Sequence, residues 1–195
     1  MEENKTISQE ELEQLMHDAE QGDAEAQYNL AYCYEYGDGV VQDIDKAIYW
    51  YKKAAEQEFV PAQVSLGNIY YYGEGVEQDY KQAVEWYALA AEQGHVEAQC
   101  VLGFCYYDGE GVETNKKQAV YWWSKAAEQG HVDAQIVLGL WYYWGEDADQ
   151  DYQKARQWFE KAADKGSADA QFFLGKLYEE GQGVAQDYWK ASQLY

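Results

Sequence analysis

Small and aromatic residues recur along this chain three and four positions apart, and the same set returns every 36 residues. Ala26, Leu30 and Tyr34 form one stripe; Ala47, Trp50, Ala54 and Ala55 form a second. Each follows the i, i+3, i+4, i+7 spacing of a helix with one buried face, so two helices, A and B, are predicted per copy. The dipeptide Ala-Gln marks the period, at Ala26-Gln27, Ala62-Gln63, Ala98-Gln99, Ala134-Gln135 and Ala170-Gln171. A fixed period of this length implies a solenoid, because one helix pair cannot bury its apolar stripe alone. The predicted fold is all-α, with five 36-residue helix-loop-helix repeats over 23–58, 59–94, 95–130, 131–166 and an incomplete 167–195. Residues 1–22 are expected to form an N-terminal capping helix.

Polar and glycine positions supply the stops and starts. Gly37 and Gly39, with their counterparts Gly73 and Gly75, Gly109 and Gly111, and Gly181 and Gly183, suit a helix end that needs positive φ. Asp43, Asp79, Asn115, Asp151 and Asp187 then stand where helix B needs an N-cap. Gly22, Gly94, Gly130 and Gly166 close the preceding B helix, but copy one ends in Glu58-Phe59, which predicts a strained or differently shaped turn. Ser8 and Glu11 make a capping box, opening a helix to about Glu20. The small residues Ala26 and Ala31, Ala62 and Gly67, Ala98 and Gly103 are expected to admit close helix approach. The ladders Tyr34, Tyr70, Tyr106, Tyr142, Tyr178 and Trp50, Trp86, Trp122, Trp158 are expected to pack between copies. Two copies depart from the pattern: Gly145-Glu146-Asp147-Ala148 predicts a looser loop, and Thr114-Asn115-Lys116 replaces Gln-Asp-Tyr.

Composition agrees with a packed interior, at 47% hydrophobic and 17% aromatic, and the single proline fits a helical chain. Thirty-six acidic against fourteen basic residues give a formal net charge of −22. That balance argues against nucleic acid or anionic membrane partners, which are met by clustered Lys and Arg. It suits solubility, or a protein partner with basic flanks. Three cysteines, an odd number, argue against a disulfide framework; Cys33 and Cys105, at one repeat position, are expected in core or groove. Residues 1–5 carry no apolar segment and no run approaches the ~18 residues of a membrane span, so a cytoplasmic location is expected.

The residues Leu66-Gly67, Tyr70, Gly73 to Val76, Gln78-Asp79-Tyr80, Ala83, Trp86-Tyr87 and Ala90 to Gly94 resemble the Sel-1-like repeat family, over about residues 19–195. The resemblance implies a right-handed α/α superhelix related to tetratricopeptide repeats, serving as a non-enzymatic adaptor. By the same analogy helix A lines a concave groove. The partner-binding set would then be Tyr28, Tyr32 and Tyr36 in copy one; Asn68, Tyr71 and Tyr72 in copy two; and Phe104, Tyr107 and Asp108 in copy three. Copy four supplies Leu140, Tyr143 and Trp144, and copy five Phe172 and Lys176. Glu25, Glu35, Val64, Cys100, Ile136, Glu179 and Glu180 complete the predicted face, which is aromatic centrally and acidic towards its ends. Such a surface suits an extended or helical peptide with apolar anchors.

No cofactor, metal or catalytic set is expected. His95 and His131 share one turn position with no third ligand beside them. Asp147, Asp149 and Asp151 imitate a calcium loop, but Tyr152 and Trp158 stand where its glycine and glutamate belong. Relatives rich in cysteine have been linked to β-lactam binding; here the paired cysteines are missing and no Ser-x-x-Lys occurs. Self-assembly is the remaining alternative. The chain stops at Tyr195 inside the fifth helix B, so either it is a fragment or Trp189, Leu194 and Tyr195 contribute an exposed edge that stacks on another copy.

Overall fold

A computed structural model describes residues 7–145 and 150–195. Among them are eleven helices and no strands: α1 (Gln9–Glu20), α2 (Ala24–Tyr36), α3 (Ile44–Ala55), α4 (Val60–Tyr72), α5 (Tyr80–Glu92), α6 (Val96–Asp108), α7 (Lys116–Glu128), α8 (Val132–Trp144), α9 (Tyr152–Ala163), α10 (Ala168–Glu180) and α11 (Tyr188–Leu194). They are consecutive A/B pairs at the 36-residue period, preceded by α1. The chain forms two compact units, one ending at His95 and the other running Val96–Tyr195.

Capping follows the sequence closely. The Ser8 hydroxyl accepts from the Glu11 amide while the Glu11 carboxylate accepts from the Ser8 amide. Asp43, Asp79, Asn115, Asp151 and Asp187 each accept the amide hydrogen bond three residues on, satisfying one orphan donor of a B helix. These bonds, with the Gln82 side-chain amide at Asp79, hold the Asp43, Asp79 and Asp151 carboxyls below their ordinary pKa. The turn role expected of His131 is also a cap: its Nδ1 accepts from the Ala134 amide at 3.3 Å. Gly37, Gly73, Gly145 and Gly181 end their A helices in the left-handed conformation. Glu58 keeps that conformation too, at φ 62°, the one non-glycine residue described with positive φ. The junction is therefore strained rather than reshaped.

Each A-to-B loop closes through one backbone bond, as from the Asp43 amide to the Tyr34 carbonyl at 2.9 Å. In four copies a loop glutamine adds a second: Gln42, Gln78, Gln150 and Gln186 donate to the carbonyls of Glu35, Tyr71, Tyr143 and Glu179. Thr114 stands at that place in copy three. Four of the five Ala-Gln glutamines, Gln27, Gln63, Gln99 and Gln135, are buried, which the apolar pattern alone does not explain. Gln27, Gln63 and Gln135 donate back to the carbonyls of Ala19, Ala55 and Ala127 at the end of the preceding B helix. Gln27, Gln63 and Gln99 also accept from Gln57, Gln93 and Gln129 in the turn after their own B helix, at 2.8–2.9 Å. In copy four Lys165 replaces that donor and reaches the Gly130 carbonyl instead, so Gln135 Oε1 has no protein donor.

Apolar packing sharpens the small-residue expectation. A Cβ on Gly67, Gly103 or Gly139 would lie within 2.6 Å of the rings of Tyr87, Trp123 and Phe159, all fully buried. Copy one holds Ala31 against Tyr51 at the equivalent place, both inaccessible to solvent. The aromatic that follows Trp50, Trp86, Trp122 and Trp158 thus fills the interior. Trp50 packs on the cluster of Leu12, Ala19, Ala26 and Leu30, and Trp158 on the cluster that includes Trp123, Leu138 and Trp141; each cluster draws on two consecutive segments of the array. Cys33, Cys100 and Cys105 are free and buried; burial pushes the Cys100 and Cys105 thiols up to about 12. Cys100 therefore belongs to the core, not to the groove face. Leu194 is half-buried against the α8 to α10 cluster rather than exposed, whereas Trp189 and Tyr195 are exposed. The looser loop expected at Glu146, Asp147 and Ala148 lies outside the described residues, as does Asp149. No described helix is long and apolar enough to cross a membrane.

Candidate functional site

A helices carry two kinds of residue on the predicted face. Side chains near the B helix sink between the two helices, and those a turn away project outward. In the first unit Tyr28 is half-buried, its ring 5.5 Å from those of both Tyr51 and Phe59. Tyr32 and Tyr36, one turn apart on α2, lie 4.5 Å apart and are both exposed. On α4, Asn68 is exposed and its Oδ1 accepts from the Tyr87 hydroxyl at 2.7 Å. Tyr71 is half-buried among Tyr72, Tyr80 and Tyr87, and Tyr72 projects beside it.

The B-helix phenols reach through to this face. Tyr51 donates to the Glu35 carboxylate as Tyr87 does to Asn68. Burial, reinforced by that carboxylate, holds the Tyr51 phenol well above its usual pKa. The pair is a structural contact, a buried phenol donating to a side chain of the A helix.

In the second unit Phe104 and Tyr107 lie 5.2 and 5.5 Å from Trp123, and Tyr107 6.3 Å from Trp141. With Asp108, Val137, Leu140 and Trp144 these rings line a pocket of 330 Å³ between α6, α7 and α8. Leu140 is half-buried in it; Asp108 and Trp144 are exposed at it. Tyr143 departs from expectation. It is only 5% exposed, packed against Trp144, Tyr152, Phe159 and Phe173, so it supports the face without presenting its ring. On α10 Phe172 is exposed with Lys176 Nζ 5.3 Å from its ring centroid, and Tyr195 5.9 Å away. The Tyr195 hydroxyl donates to Glu179, and partial loss of hydration together with that carboxylate raises its pKa to about 12.

Three pocket residues escape the sequence reading: Trp123, Val137 and Trp141. Trp123 sits on a B helix, outside the A-helix set, and Trp141 occupies a position held by Cys33, Ile69, Cys105 and Leu177 elsewhere. That change of residue type at a recurring position was the available signal. Among the described residues no three His, Cys, Asp or Glu side chains are placed to hold a metal ion.

The Sel1 repeat family matches residues 24–59, 60–95, 96–131, 132–167 and 168–195. A Sel1 repeat protein from Oxalobacter formigenes is 36% identical with a TM-score of 0.88, over 95% of this chain and 76% of that one. The protein c5321, described as a protective antigen of uropathogenic Escherichia coli strains with an SLR fold, is 36% identical with a TM-score of 0.76. It matches over 94% of this chain, which spans about half (47%) of that protein's length. A Sel1 repeat protein from Klebsiella pneumoniae is 28% identical with a TM-score of 0.51, over 94% and 89% of the two chains. No curated protein matches the sequence. Five consecutive matched repeats, and helix pairs that follow their period, place this chain in the Sel1 repeat family, whose solenoids are generally protein-interaction scaffolds.

Proposed function

We propose that the chain is a non-enzymatic adaptor that binds a peptide or partner protein through exposed aromatic residues of its A helices. One observation carries this reading. Tyr36, Tyr72 and Trp144 share a single repeat position and are 61%, 64% and 59% exposed. Large rings held in water at a fixed period contribute little to folding, yet they are the residue types that dominate binding energy at interfaces. Asp108 and Glu180 hold the same position in the other copies, which favours a ligand whose apolar anchors are flanked by basic residues. The 330 Å³ pocket beside Trp144 is of a size to take one such anchor. Free, buried thiols suit a reducing compartment, which supports a cytoplasmic location for this adaptor.

The test compares the wild type with a Tyr72→Ala, Tyr107→Ala, Trp144→Ala triple variant as bait in host lysate, once both are shown equally helical. A partner captured by the first and lost from the second is the expected result. Equal capture by both would remove the A-helix face from the reading. A second reading, self-association, rests on Tyr188, Trp189 and Tyr195, all exposed on or beside α11. Sedimentation over a concentration series separates the two, since only self-association makes the sedimenting mass grow with protein alone.

A further inference from the structure

Between α7, α8 and the start of α9 lies a second, larger pocket of 770 Å³, lined by Thr114, Asn115, Lys116, Lys117, Val120, Trp141, Tyr142 and Lys154. Three of the chain's fourteen basic residues line it, and among the described residues no carboxylate does. In a protein of net charge −22 that concentration is unexpected. Trp141 stands between this pocket and the smaller one on the A-helix face, lining both.

The repeat pattern separates what the copies share from what they do not: Lys154 recurs as Lys46 and Lys190, Lys117 as Lys81 and Tyr142 throughout, whereas Lys116 and Trp141 have no like counterpart. Copy one reads Gln42-Asp43-Ile44-Asp45 where copy three reads Thr114-Asn115-Lys116-Lys117, exchanging two carboxylates for two ammonium groups. Asn115 still caps α7 as the aspartates cap their helices, so the cap survives without its charge. Trp141 enlarges a position that is Cys33, Ile69, Cys105 or Leu177 in the other copies. Departures on two separate segments thus meet at one cavity, all making it more basic or more aromatic. Lys116 Nζ lies 6.0 Å from the Trp141 ring centroid, and Lys154 Nζ 5.0 Å from that of Tyr142, with Asp151 at 3.4 Å on its other side. The ammonium groups are thereby held along the aromatic wall.

We propose that this pocket binds a carboxylate carried on an apolar body. The apolar part lies against Trp141 and Val120, and the carboxylate is taken by Lys116, Lys117 and Lys154. The volume falls within the range of small-ligand sites. Surrounding acidity selects for a compact anion. At physiological ionic strength charges beyond about 8 Å are largely screened, so a small carboxylate feels the lysines while an extended polyanion would also lie along acidic surface.

The chemistry fits a free aromatic acid or the C-terminal end of a peptide, and the experiment distinguishes them. The intact protein is titrated with three probes: an N-acetylated dipeptide ending in phenylalanine, its C-terminal amide, and 3-phenylpropionate. Calorimetry gives the affinity, and the indole N–H signal of Trp141 gives the location. Saturable binding of a carboxylate probe with a shift at Trp141 is expected. It should weaken at least about tenfold, or 1.4 kcal/mol, in Lys116→Gln/Lys117→Gln. A Lys52→Gln/Lys53→Gln variant, with the same change in net charge on α3, should bind as the wild type does, and both variants are checked for unchanged helicity. Tighter binding of the dipeptide acid than of phenylpropionate assigns a chain end; the reverse assigns a small acid. Equal binding of acid and amide, equal weakening in the two lysine variants, or no saturation by either carboxylate at about 10 mM would overturn the proposal.

Discussion

Glu58 shows what a single residue costs when the fold dictates its conformation. Its counterparts Gly22, Gly94, Gly130 and Gly166 all have φ between 86° and 98°, where glycine is at ease, whereas Glu58 is held at 62° with a Cβ attached. A non-glycine residue there is strained by roughly 1–2 kcal/mol, partly offset because glycine is freer when unfolded. Glu58→Gly should therefore stabilise the protein by about 1 kcal/mol, read as a higher urea midpoint at unchanged slope. A lower midpoint would mean that the glutamate side chain contributes more than its backbone loses. The position was legible from the sequence as an anomaly, since glycine recurs there. Its outcome was not, because a broken pattern does not say whether the turn or the residue gives way.

At the scale of the element, boundaries were readable to the residue where capping chemistry decides them, as at Ser8, Asp43 and Gly37. The role of the recurring glutamine was not, since a polar residue in an apolar stripe signals only that something satisfies it. Its partners are a carbonyl eight residues back and an amide thirty residues on, and periodicity alone cannot supply such pairings. Likewise Tyr143 and Trp144 are both aromatic at the end of α8, and only the packing of α9 and α10 decides which is buried. The missing donor in copy four gives a direct test. Lys165→Gln would let residue 165 reach both the Gly130 carbonyl and Gln135 Oε1, as Gln57 reaches Gly22 and Gln27. Satisfying that buried oxygen should add about 1 kcal/mol to stability in denaturant titration. No gain would show that the oxygen is already hydrated.

Across the whole molecule, charge matters most after packing. Thirty-six acidic groups against fourteen basic ones repel one another in any compact state, more so where water screens poorly. Raising salt from about 0.01 M to about 0.15 M shortens the screening length from about 30 to about 8 Å. The thermal midpoint should accordingly rise by several degrees over that range in scanning calorimetry. A midpoint that falls would mean the described ion pairs, such as Lys154 with Asp151, outweigh the repulsion. The glutamine rungs bear on how such a chain assembles. An amide reaching a helix-end carbonyl is chemically identical in copy after copy, so nothing in the bond identifies which copy supplies the carbonyl. The tether makes that choice: only four residues, Glu56 to Phe59, separate α3 from α4, and a neighbour that close arrives before any distant rival. Insertions in these tethers would thus endanger the order of the repeats before their stability, opening the way to skipped or exchanged copies between chains.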